Sequence, residues 1–198
     1  MEYKNRVIST FYRDKQILLA VEDAMTNKLD KSLYKIAFKL VPQDQNNKAK
    51  KEEILIHYLD VSEAKRIAHH YINKGTFKYL YNNTEQTKNG KVDCYKDMKG
   101  GLSNGRIQSR IFTLLENNDG STIIQLTIHE GRKYGQGAII PTSGPKKRLY
   151  IKLSRAEIEE LVLELNDYIR NKELYQFPYY HPVEIQSNVE KNQNNFFF

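Results

Sequence analysis

The sequence predicts an α+β protein built from two antiparallel four-stranded sheets packed together, each unit followed by one helix. This is a duplicated β-β-β-β-α chain, expected to fold as one compact domain. Three observations predict it. Short runs of alternating apolar residues recur, broken by Asn, Asp, Gly and Pro, which is the signature of half-buried strands. Two clusters of such runs each end in an amphipathic stretch with helical spacing. The two helical stretches also align at a constant offset, with Asp60 matching Ser154, 94 positions later.

The first unit spans residues 1–74. Val7 to Tyr12 reads as a strand, Arg13-Asp-Lys15 as its turn, and Gln16 to Glu22 as the second strand. Leu33 to Val41 alternates, with Tyr34, Ile36, Phe38 and Leu40 on one side and Lys35, Ala37 and Lys39 on the other. Pro42 closes that run because it lacks a ladder donor. A polar loop follows to Lys51, then a fourth strand from Glu53 to Leu59. Asp60-Val-Ser-Glu63 has the spacing of a capping box, with Asp as the cap. Under the 94-residue offset Ala64 meets Ile158, Ile67 meets Leu161, Ala68 meets Val162 and Tyr71 meets Leu165.

Residues 75–105 read as a linker. Thr76 to Tyr81 is a short alternating run within it, and Asn82 to Gly105 is a long polar loop. The second unit spans 106–173. Its strands are Arg106 to Leu115, Thr122 to His129, Gln136 to Ile140 and Arg148 to Leu153. Asn117-Asn-Asp-Gly120 is a turn because these residues tolerate positive φ. Ser154-Arg-Ala-Glu157 is a capping box, and a helix runs on to about Lys172. Residues 174–198 form an aromatic, then polar, C-terminal arm ending in Phe196, Phe197 and Phe198, which are candidate docking residues for a protein partner.

The net charge is +7, which fits a polyanionic partner. Its placement is more informative. From Arg106 to Leu153 there are eight Lys/Arg against three Asp/Glu, whereas Ser154 to Glu173 has three against six. A helix covers one face of a sheet, so the basic residues of the second sheet fall on the face left free. Exposed lysines also solubilise strands and block edge pairing, so charge alone leaves both readings open. No stretch approaches the roughly 20 apolar residues of a membrane span. Cys94 is the only cysteine, so an intracellular, reducing compartment is expected.

Two β-β-β-β-α units in one chain resemble the Whirly and PUR-repeat group of single-stranded nucleic-acid-binding proteins. The resemblance covers about Arg6 to Ile169 and rests on topology and spacing. Lys99-Gly-Gly-Leu-Ser103 is a shortened echo of the Lys-Gly-Lys-Ala-Ala-Leu-like motif of Whirly proteins. The resemblance implies nucleic acid lying across exposed sheet faces and edges. Single-stranded DNA is favoured over RNA, in replication, recombination or transcription, with homo-oligomers allowed.

Such binding needs cations for phosphates and flat side chains for bases. The candidates in the first unit are Tyr12, Arg13, Lys35 and Lys39. Those in the second are Arg106, Arg110, Arg132, Lys133, Tyr134, Lys146, Lys147, Arg148, Tyr150 and Lys152. The alternative reading is a protein-interaction adaptor working through sheet edges and the C-terminal arm. A metal-dependent enzyme with dispersed ligands is a third. No catalytic set, cofactor site or metal site emerges. His69 and His70 point about 100° apart on a helix and make a poor ligand pair. Cys94 has no neighbouring base in sequence, and the glycines from Gly131 to Gly137 open no helix.

Overall fold

The computed structural model describes residues 6–13, 16–24, 35–80, 92–103, 105–135 and 138–176. The first unit is an antiparallel sheet of β1 (Arg6–Arg13), β2 (Ile17–Asp23), β3 (Lys35–Pro42) and β4 (Leu55–Asp60), in that order. A 3-10 turn at Lys51–Glu53 precedes β4, and α1 (Val61–Lys74) follows it. The second unit holds β5 (Val92–Ser103), β6 (Arg106–Glu116), β7 (Thr122–Tyr134), β8 (Ala138–Pro141), β9 (Lys147–Leu153) and α2 (Arg155–Gln176). Its four long strands pair in the order β5-β6-β7-β9. The four-residue β8 pairs only with the distal part of β7, from Gly131 to Tyr134.

Strand alternation decides what each sheet buries. Across the first sheet, Phe11, Leu19, Leu40 and Leu55 stand in register, as do Val21, Phe38 and His57. Across the second, Tyr95, Leu114 and Ile124 align with Ile151. These rows face each other and, with the helices, form one continuous core. Phe38 and Phe112 meet edge to face across the sheets at 5.0 Å. A fully buried side chain of this size contributes about 1.5–3 kcal/mol. The helices pack on each other, α1 also against β3 and β4, α2 against β1 and β9. All eight residues aligned by the 94-residue offset are buried.

Three expectations need correction. Residues 92–103 are not loop: they form β5, the first strand of the second sheet, paired along β6 from Val92 opposite Glu116 to Ser103 opposite Arg106. Lys and Gly take four of its twelve positions and a bulge between Asp93 and Tyr95 shifts the register, so no clear period shows in the sequence. The stretch 76–80 is a turn rather than an extended run, and only Phe77 and Leu80 in it are buried. The third strand expected at 136–140 is the short β8, which folds back over β5 and β6. A Cβ on Gly100 or on Gly131 would overlap Ile139, so β8 can lie this close only over glycine.

The two caps also differ. Ser154 closes its capping box: its N–H donates to Glu157 Oε2 at 2.7 Å, and the Glu157 N–H donates to Ser154 Oγ at 3.4 Å. Asp60 occupies the cap position of α1, yet its side chain makes no capping bond. It accepts instead from Lys99 at 3.0 Å and pairs with Lys35 at 3.5 Å.

Candidate nucleic-acid interface

β9 is where the two units open a groove. Leu149, Ile151 and Leu153 point inward and Arg148, Tyr150 and Lys152 outward. Among the described residues β9 pairs with β7 alone, and no other strand pairs with its second edge. In an antiparallel ladder alternate residues direct both main-chain polar groups to the same side. The Lys152 carbonyl accepts from Arg13 Nε at 2.9 Å, away from β7. Arg148 and Tyr150, in the same phase, therefore also present main chain to the open edge.

The groove along this edge has a volume of about 1220 Å³. One wall is Arg148 to Lys152 with Asp119, Ser121 and Ser154; the other is Arg13, Gln16, Pro42 to Gln45 and Lys50. Ile17, Pro42, Leu149 and Ile151 give it an apolar floor. Four cations line it against two carboxylates, and both carboxylates are engaged. Asp44 Oδ1 accepts from the N–H groups of Asn46 and Lys48. Asp119 accepts from the Ser121 hydroxyl and N–H and pairs with Lys152 at 3.4 Å, which holds its pKa at about 2. Tyr150 is 57% exposed and stands between Arg148 and Lys152. The strand thus sets a cation, a ring and a cation side by side, the two kinds of side chain that single-strand binding combines.

The sequence-derived candidates fall into three sets. Arg13, Arg148, Tyr150 and Lys152 lie together at the groove. Arg13 reaches it from the inner side of β1, where its guanidinium binds Glu157 at 2.6 Å. Tyr12 points the other way and is 60% exposed on the outer side. A second set, Arg106, Arg132, Lys133 and Tyr134, is exposed at the β5–β6 and β7–β8 hairpins. A third set is engaged in the fold. Lys35 pairs with Asp60 and Lys39 with Glu22. Lys146 pairs with Glu130, and Lys147 donates to the Glu52 carbonyl at 2.7 Å. Arg110 is half-buried on the phase of β6 shared with Phe112. Phe196, Phe197 and Phe198 lie outside the described residues.

Sequence reasoning missed Gln43 and Lys50, which it left in a loop, and Gln16, which it placed at the start of the second strand. The Lys48-Ala-Lys-Lys51 cluster was the available signal. Cys94 is buried, and burial first, then the charge of Glu116, pushes its thiol up to about 12. It is therefore inert at neutral pH. Among the described residues, no group of three or more His, Cys, Asp or Glu is placed to hold a metal ion.

No family model matches the chain, and no curated protein matches it significantly. Solved structures do match. The plant transcriptional regulator PBF-2 aligns over 98% of this chain and 99% of its own, with a TM-score of 0.52 at 13% identity. WHY1 from Arabidopsis thaliana aligns over 85% of this chain and 91% of its own, with a TM-score of 0.50 at 10% identity. The class defined here is an α+β protein with a duplicated sheet-and-helix unit. Its particular fold is that of these plant proteins, the Whirly fold.

Proposed function

We propose that this chain binds single-stranded nucleic acid along the open edge of β9, without catalysing a reaction. The observation that carries the reading is the groove itself: an exposed ring flanked by two cations on an unpaired strand edge. Arg148, Lys152, Arg13 and Lys50 supply phosphate contacts, and Tyr150 stacks on a base. Base–aromatic stacking contributes about 1–3 kcal/mol per base and tolerates any sequence, so sequence preference is weak. The hairpin cations Arg106, Arg132 and Lys133 extend the positive surface. DNA is favoured over RNA, in line with a fold shared with a transcriptional regulator. Replication, recombination and transcription all fit such an activity.

The test is fluorescence anisotropy with labelled single-stranded DNA, single-stranded RNA and duplex DNA across a salt series. Tight single-strand binding that weakens steeply with salt supports the reading. Binding no better than duplex at low salt overturns it. The unpaired edge of β9 and the apolar floor also suit an added peptide strand. The adaptor reading would gain from salt-insensitive binding of an extended apolar peptide that nucleic acid displaces.

A further inference from the structure

The turn after α1 holds a tyrosine where a glycine belongs. The Leu80 N–H donates to the Phe77 carbonyl at 3.2 Å, closing a four-residue turn. Its third residue, Tyr79, has φ +66. That position with positive φ is the one that Gly or Asn normally fills. A bulky side chain there is strained. Tyr79 is nonetheless 75% exposed, so its ring contributes little to the core.

The turn is held firmly. Phe77 and Leu80 are buried on either side of the strained position. Buried Glu116 accepts from the Thr76 hydroxyl and the Phe77 N–H, both at 2.6 Å. His70 Nε2 bonds to the Lys78 carbonyl at 2.9 Å. Backbone strain in an over-determined turn that presents an exposed side chain is the pattern of a ligand contact.

Arg155 links the groove wall to the residue that ends α1, just before the turn. Asp119 belongs to the groove wall, and Gly120 follows it. Arg155 spans the interval. Its Cδ would be 3.5 Å from a Cβ on Gly120, and its Nη2 3.5 Å from a Cβ on Gly75, the C-cap of α1 two residues before the turn. Arg155 is exposed and Lys74 is exposed beside Gly75. Glu159 pairs with Arg155 at 3.1 Å, and with Asp119 it supplies acid along this path.

We infer that Tyr79 is a second base-stacking station, extending the single-strand track from the β9 groove across Arg155 to the turn at 76–80. This rests on the groove reading, and it enlarges the footprint of the bound strand rather than changing its class.

The chain contains no tryptophan, so Tyr79→Trp gives a single indole reporter in the full-length protein. Oligothymidylates of about 4 and about 16 nucleotides bracket the usual footprint of such sites. The long oligonucleotide should quench the indole and the short one should not. By anisotropy, Tyr79→Gly should lose about tenfold in affinity for the long oligonucleotide and nothing for the short one. Its thermal midpoint should equal or exceed that of wild type, because glycine relieves the strain. An unquenched indole, or Tyr79→Gly binding the long oligonucleotide as wild type does, overturns the inference. So does an equal loss at both lengths. If wild type binds neither oligonucleotide, the groove reading fails first and this falls with it.

Discussion

The two units share a framework and differ in what they leave exposed. In the first, the outward lysines of β3 are neutralised at close range, Lys39 by Glu22 and Lys35 by Asp60. Small buried residues flank them, Ala37 between the two lysines on β3 and Ala20 opposite Lys39 on β2. In the second, Arg148, Tyr150 and Lys152 project from an edge strand with one carboxylate, Asp119, nearby. Both units contribute the same kind of buried face to one core, and their outward positions differ, leaving one of them with an open cationic edge. Lys152 has an acid of its own, but that pair is the more exposed, with Lys152 at 53% against 25% for Lys35 and 28% for Lys39, so solvent screens it and an anionic ligand displaces it more easily.

The largest expected effect tests this difference. Arg148→Gln with Lys152→Gln should lower single-stranded DNA affinity at least tenfold at low salt and reduce the salt slope by about 2. Lys35→Gln with Lys39→Gln should leave the slope unchanged. Equal slopes in the two double variants would break the asymmetry.

The next effect concerns what the units share. Each has a buried carboxylate at the last residue of its second strand, Asp23 on β2 and Glu116 on β6. Each is satisfied from outside its own unit, Asp23 by α2 and Glu116 by the turn that follows α1. Asp23 Oδ2 accepts from the Tyr168 hydroxyl at 2.5 Å and pairs with Lys172 at 3.2 Å, both on α2. Burial, and then this acid, push the Tyr168 hydroxyl above its ordinary value. Glu116 binds the turn that follows α1. Removing either acid strands buried donors at about 1–3 kcal/mol each. Asp23→Ala and Glu116→Ala should each cost about 2–3 kcal/mol in urea unfolding. A large loss at only one site would show that the exchange is not reciprocal.

These cross-unit contacts mark where sequence reading stops. The alternation of Ile36, Phe38 and Leu40 and the helical stripes of both units were legible, because one face of each is buried and the period records it. The capping box at Ser154 was legible for a similar reason, being a contact three residues long. β5 was not, since Lys96, Lys99, Gly100 and Gly101 interrupt its apolar phase. Its residues serve unlike purposes: Asp97 reaches His57, Lys99 reaches Asp60, and Gly100 makes room for Ile139. The groove wall was half legible. Arg148, Tyr150 and Lys152 follow from alternation, but Lys50 and Gln16 join them only through the packing of one unit on the other.

A smaller effect separates the units by pH. Asp97 Oδ2 lies 2.9 Å from buried His57 Nε2 and 3.6 Å from Lys99, which also holds Asp60. Burial alone would raise the Asp97 pKa, but the hydrogen bond from His57 and the charges of His57 and Lys99 outweigh it, so the pKa is lowered. A lowered folded value means stability that is full above the unfolded value near 3.9 and lost as pH falls through the folded one. Asp97→Asn should therefore unfold more easily than wild type at neutral pH, with the gap closing below about pH 4. A gap that persists in acid would assign the effect to packing against Phe112, on which His57 stacks at 5.6 Å.

The smallest effect lies in the caps. Ser154→Ala removes a capping bond and should cost about 1 kcal/mol. Asp60→Ala removes no capping bond. It breaks ion pairs with Lys99 and Lys35, whose side chains are 39% and 25% exposed, and exposed pairs contribute about 0–1 kcal/mol. Asp60→Ala should therefore be the milder change by urea titration, although it deletes two ionic partners and Ser154→Ala deletes none. A cap satisfies donors that would otherwise have no intrahelical acceptor, whereas Lys35 and Lys99 can turn to water when Asp60 is lost. If Asp60→Ala proves the costlier, the ion pairs joining β3, β5 and the start of α1 act as one network, and the first unit depends on the second through charge as well as through its core.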